Sequence, residues 1–271
     1  MNQSRPVRLR QRPGDPKSPF RFFGLVFALS VPFWAAGALT ARQLLPALPI
    51  SALGFICPAA AAAMLTYRES GTAAVAALLK RSFDLDRIKA KGWLVVAIAL
   101  QPGVMGLSYL AIRLAGTPVP APQLSLLPAL GLLLAFFVAA LGEELGWSGY
   151  AIDPLQERYG ALLASFMVGC VWAVWHYIPL LQAGRSPAFI AWWSLGTLAS
   201  RVLIVWLYNN TGKSVFVAAV FHAMINLTWQ LFPVNGSFYD PRVTGLAGAL
   251  VAAVVVIGWG PRWLSRARSA G

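Results

Sequence analysis

Two adjacent carboxylates, Glu143 and Glu144, stand at the end of an apolar run over 126–140 that carries no charge. The chain has nine acidic residues, and only this pair falls in a segment hydrophobic enough to enter a bilayer. An ionised carboxylate in hydrocarbon costs on the order of 3 kcal/mol even on the mildest scales, so it persists there only when paired, hydrated or used. Both histidines of the chain, His176 and His222, also fall in apolar stretches. Trp172 and His176 are spaced i, i+4 in VWAVWHYIPL, and His222 and Asn226 are spaced i, i+4 in VFHAMINLTW. On a helix that spacing puts both members of a pair on one face. A carboxylate with imidazoles and an amide in one cavity has the groups to activate water and to bind a developing oxyanion. One Glu with two His also matches a His₂Glu zinc set, here Glu143, His176 and His222. A proton relay through Glu143, Glu144 and the two His, as in a proton-coupled transporter, is the third chemistry these types allow.

The elements that position these groups follow from composition. With 58% hydrophobic and 11% charged residues and a mean hydropathy of +0.64, the chain departs from soluble domains, which carry about 25% charge. Its apolar segments are continuous runs of about 20 residues rather than short alternating ones, which predicts membrane-spanning helices and not a barrel. The expected architecture is all-α: a polytopic integral membrane protein of about eight transmembrane helices in one bundle. The spans are placed at 22–41, 48–67, 92–114, from 126 to between 148 and 154, 160–181, 188–208, 214–231 and 243–259. Residues 68–91 read as a charged, partly amphipathic loop with short interfacial helices at 73–79 and 83–88. Residues 1–19 read as a disordered basic cytoplasmic tail, 20–264 as a single transmembrane domain with its reactive core at about 125–235, and 265–271 as a second cytoplasmic tail. No cleavable signal peptide is evident, and no internal symmetry of the kind a two-half transporter carries is visible.

The net charge of +13 suggests nucleic acid in a soluble protein, but here it follows from the positive-inside bias of membrane loops, so no nucleic-acid partner is expected. Of the 22 Lys and Arg, only Arg42, Arg113, Arg185 and Arg242 fall on the side opposite the N-terminus, and Arg201 lies inside the sixth span. That asymmetry predicts both termini on the cytoplasmic side. Cys57 and Cys170 lie in apolar segments without CxxC spacing and read as buried small hydrophobes.

Taken in order, Glu143-Glu144 on one span, Trp172 with His176 on the next, and His222 with Asn226 two spans later resemble the CPBP family of intramembrane proteases. That family includes type II CAAX prenyl endopeptidases and bacterial bacteriocin-processing or self-immunity (Abi-type) proteins. The resemblance covers about 125–235, and the segment Gly-Tyr-Ala-Ile-Asp-Pro-Leu-Gln at 149–156 adds to it. It implies an intramembrane endopeptidase of glutamate type in the inner (cytoplasmic) membrane, acting on a membrane-associated peptide or protein substrate. It places the base at Glu143, an orienting carboxylate at Glu144, water or proton handling at His176, and oxyanion donors at His222 and Asn226. No cofactor is expected on this reading, with zinc as the competing one. A non-catalytic bacteriocin-immunity or scaffold protein of the same fold is the alternative function. Two positions depart from the family pattern. Ser148 stands where the first motif, Glu-Glu-x-x-x-Arg, has Arg, and Trp172 stands where the second usually has Phe. Loss of that Arg leaves two readings for Arg201: a replacement cation for the carboxylates, or a side chain snorkelling to the cytoplasmic interface.

Overall fold

Nine α-helices and one short hairpin make up residues 18–266, the part of the chain that the computed structural model describes. The tails expected at 1–19 and 265–271 lie almost wholly outside the described residues. Several helices begin where a side-chain cap precedes proline. Ser18 leads into α1 (Pro19–Thr40), Ser186 into α7 (Pro187–Asn210) and Asp240 into α9 (Pro241–Trp259). Each capping oxygen accepts a backbone N–H of the first turn, and proline at the first helical position gives up no hydrogen bond. Between them run α2 (Cys57–Lys80), α3 (Gly92–Leu114), α4 (Leu126–Gly146), α5 (Ile152–Tyr159), α6 (Ala161–Gln182) and α8 (Val215–Leu231).

Among the described residues seven helical segments are long and apolar enough to cross a membrane, and the protein is a polytopic all-α membrane protein. The eighth expected span is α8, which at 17 residues measures about 26 Å along its axis. Apolar stripes point away from the bundle. On α4 they run along Leu126, Leu130, Leu134 and Val138, and on α9 along Leu246, Leu250, Val254 and Ile257, all exposed. Such rows are a liability in water and cost nothing against lipid.

The interior is organised on α7, where every residue from Arg201 to Tyr208 is buried. It packs on α6, α8 and α9, while α4 packs on α2 and α8. The second span differs from expectation at both ends. Residues Ile50–Ile56 form a 3₁₀ segment, and α2 continues past Arg68 to Lys80 with a break at Gly71, whose φ of 76° is open to glycine. Two clasps hold that extension, which takes in the short helix expected at 73–79 and joins it to the span. Glu69 accepts the Tyr150 hydroxyl at 2.5 Å, and Arg81 donates to the carbonyls of Gly149 and Lys213 at 2.9 and 2.7 Å. Asp84 then caps α8, accepting from Ser214 Oγ at 2.6 Å and from the amides of Val215 and Phe216 at 3.1 and 3.2 Å.

Candidate active site

The Glu pair sits in the last turn of α4, and the helix does not stop there. It widens into a π-helical turn over Trp147–Ala151 and resumes as α5. A π turn inserts one extra residue and re-aims the side chains around it, a device common at functional sites. The approach of α4 to the first turn of α2 is tight. A Cβ on Gly146 would lie 2.6 Å from the Pro58 carbonyl oxygen, so only glycine fits.

Successive residues on a helix point about 100° apart, so two adjacent glutamates cannot share one environment. Glu143 faces a cavity of about 470 Å³ and its Oε2 accepts the Trp172 indole N–H at 2.7 Å. Glu144 is fully buried behind the cavity wall. It accepts both terminal guanidinium nitrogens of Arg201, at 2.9 Å on Oε2 and 3.1 Å on Oε1. His222 Nδ1 lies 3.0 Å from the same Oε1, and Ser148 Oγ donates to Oε2. A carboxylate held twice by a guanidinium is ionised and acceptor-only, so His222 carries its proton on Nδ1 and turns Nε2 the other way.

His176 Nδ1 lies 2.8 Å from the Trp172 carbonyl, one turn back on α6. A carbonyl only accepts, so Nδ1 is again the protonated nitrogen and Nε2 is left available. The indoles of Trp172, Trp175 and Trp193 surround this ring at 5.5, 4.7 and 5.4 Å between centroids, which fixes its plane. His222 is held from one side by Trp172 at 5.0 Å. Glu143, His176, His222 and Asn226 all line one cavity, and the i, i+4 spacing puts His222 and Asn226 on the helix face that meets it. Its remaining wall is largely apolar: Val104, Met105 and Phe136 from the helices, and Leu44, Leu45 and Leu48 from the hairpin of β1 (Gln43–Leu45) and β2 (Leu48–Pro49). Among the described residues no three His, Cys, Asp or Glu side chains gather as a set able to hold a metal ion. Among the described residues, Glu143, His176 and His222 share the cavity without forming a ligand cluster.

Two residues of the site exceed what sequence reasoning placed there. Arg201 is 1% exposed and paired, so it does not snorkel. Ser148 is a Glu144 ligand rather than merely an absent cation. The available signal was that Arg201 lies deep inside a span; of its two readings, a cation for the carboxylates or a snorkelling side chain, the structure shows the first.

The family model of Type II CAAX prenyl endopeptidase Rce1-like proteins matches residues 125–228, which contain all five candidate site residues. CAAX prenyl protease 2 of Methanococcus maripaludis is 32% identical over 197 residues, covering 66% of this chain and 70% of that protein. Lysostaphin resistance protein A of Staphylococcus haemolyticus is 25% identical over 130 residues, 46% of this chain and 33% of that protein. A polytopic helical membrane protein with this site belongs to a class of intramembrane endopeptidases. The chain is a member of the Rce1-like CAAX prenyl protease family.

Proposed function

We propose that the protein hydrolyses a peptide bond within the membrane by a metal-free glutamate mechanism. The observation that carries this is the division between the carboxylates: Glu144 is consumed by Arg201 and His222, while Glu143 faces the cavity with one indole bond and an oxygen to spare. Glu143 takes a proton from a water held against His176 Nε2, and the water oxygen adds to the substrate carbonyl carbon. The carbonyl π electrons move to oxygen, and the oxyanion is met by the Asn226 amide N–H and by Nε2–H of His222 in its doubly protonated form. Nδ1–H of that ring stays on Glu144. Collapse of the intermediate breaks the C–N bond, and the proton from Glu143 leaves on the amine, with His176 able to pass it. Donors aimed at the oxyanion in a dry site are the largest single contribution expected.

The substrate is a membrane-associated peptide or protein. The relatives' name supplies the first probe, a farnesylated peptide with a CAAX terminus, and the apolar wall of the cavity suits a lipid or apolar segment of that kind. The membrane is the cytoplasmic one, with both termini inside, and reporter fusions at each end check that orientation. The site lies in one transmembrane domain with its core at about 125–235. A second reading, an immunity or scaffold protein that keeps the fold without cleavage, draws on the likeness to lysostaphin resistance protein A.

The test uses wild type, Glu143→Ala and His222→Ala in detergent, with the farnesylated peptide, its unprenylated form and a transmembrane peptide library, each with and without chelator. Cleavage by wild type alone, insensitive to chelation, is expected. Cleavage by Glu143→Ala removes the proposed base, loss on chelation favours zinc, and a folded wild type that cuts nothing favours the scaffold.

A further inference from the structure

Arg201 is a permanently charged side chain, 1% exposed, in the middle of a helix apolar enough to cross a bilayer. Its stem lies against α6 where Gly169 leaves room, since a Cβ there would sit 3.3 Å from the Arg201 Cβ. Both terminal nitrogens go to Glu144, and the guanidinium carbon stands 4.3 Å from the centroid of the Trp172 ring. Each of those two partners holds a different member of the site. Glu144 Oε1 accepts from His222 Nδ1, and Trp172 Nε1 donates to Glu143.

We propose that Arg201 is the positioning residue of the site: through Glu144 it holds the Nδ1–H and the rotamer of His222, and through Trp172 it holds the indole donor on Glu143. One cation on α7 thereby sets both the oxyanion side and the base side. This rests on the hydrolytic reading above for its catalytic consequence, but not for its effect on His222. The cation is also exchangeable between elements. Ser148 Oγ bonds the same Glu144 Oε2 that Arg201 Nη1 bonds, so position 148 faces that carboxylate and is the place to return a guanidinium when Arg201 is shortened. A merely structural ion pair also lowers stability when broken, yet in molecules that fold it leaves the histidine rings as they were.

The chain has two histidines, so ¹⁵N-histidine-labelled protein in detergent shows two rings, assigned with His176→Gln. Arg201→Gln, Arg201→Lys and the double variant Arg201→Gln with Ser148→Arg are compared by His ring ¹⁵N shifts and by kcat and KM on a peptide the wild type cleaves. Arg201→Gln is expected to displace the His222 signals and to lower kcat about 100-fold, with KM moved less than about threefold. Arg201→Lys, with one contact in place of a bidentate pair, falls between. The double variant returns the His222 signals toward wild type and restores at least about tenfold in kcat. Unmoved His222 signals in folded Arg201→Gln, or an unchanged kcat, overturn the proposal. If Arg201→Gln does not fold, a folded double variant whose His222 signals stay displaced overturns it equally. If the wild type cleaves nothing, the hydrolytic reading fails while the His222 shifts still decide the role of Arg201.

Discussion

Glutamine at 143 and glutamine at 144 make the sharpest pair of variants, because one side-chain change at neighbouring positions is expected to act on opposite properties. Glu144 is fully buried and receives two guanidinium bonds, His222 Nδ1 and Ser148 Oγ. Glu144→Gln keeps the shape but removes the counter-charge, and one of its two acceptor positions becomes an NH₂ facing a guanidinium donor. Breaking a buried pair from one side costs about 3–5 kcal/mol, or roughly 10²- to 10⁴-fold in the folding equilibrium. Glu143 has one protein bond, from the Trp172 indole at 2.7 Å, and glutamine oxygen still accepts it. The loss is that of a charge-assisted bond becoming neutral, about 1 kcal/mol, and relief from burying the charge offsets part of it. Removing a general base lowers turnover by about 10²- to 10⁴-fold. Unfolding by graded SDS in mixed micelles gives the stabilities, and peptide cleavage by the folded fraction gives the turnover. Glu144→Gln should be the unstable variant and Glu143→Gln the stable, inactive one. A Glu143→Gln protein less stable than Glu144→Gln would falsify the division of roles between the two carboxylates.

Three further outcomes follow from the same geometry. Trp172→Phe keeps an aromatic ring in place but withdraws the N–H from Glu143; it should fold normally and lose about tenfold in kcat, the order of one hydrogen bond to a charged group, and an unchanged kcat refutes a role for that bond. Gly146→Val drives a Cβ into the Pro58 carbonyl at 2.6 Å and should destabilise by at least about 1–3 kcal/mol, seen as a lower melting temperature and reduced yield. Asp84→Ala removes the cap from α8, far in sequence from the Glu pair; it should cost about 1–2 kcal/mol in SDS unfolding while the kcat of folded molecules stays near wild type.

How far the sequence carries depends on how local the cause is. Apolar runs place most of the spans within a few residues, because bilayer thickness acts along the chain. The i, i+4 spacings put Trp172 with His176, and His222 with Asn226, on one helix face each, a cause equally local. Where the cause is tertiary, local reasoning stops. The stretch beyond Arg68 reads as a charged loop with a short helix at 73–79, and its continuity with the span is held by Tyr150 on Glu69 and by Arg81 bridging Gly149 and Lys213. Those contacts come from more than sixty residues away, and no periodicity records them. Arg201 is the clearest instance. Its type and burial in a span mark it as costly, but its partner lies on α4, and only packing of α7 against α6 at Gly169 decides that it turns inward.

The adjacency of Glu143 and Glu144 also answers the physical objection it raises, that two ionised carboxylates side by side in an apolar span repel each other. Being neighbours on a helix separates their directions by about 100°, and among the described residues the Arg paired with this carboxylate couple, Arg201, lies on the Glu144 side of that angle. Arg201 and, when doubly protonated, His222 both bond to Glu144. Two negative and two positive groups then sum to zero inside the wall, although the neutralising contacts all fall on one carboxylate. Glu143 therefore shares a locally balanced charge without being locked into an ion pair itself. It keeps a single orienting bond from Trp172 and a free oxygen toward the cavity. A base needs that combination: tied in a bidentate pair it would not take a proton, and without nearby compensation it would not stay ionised in the membrane. Ser148 fits the same logic. A hydroxyl there completes the Glu144 shell without adding a second full cation beside Arg201, which would leave the group with excess positive charge.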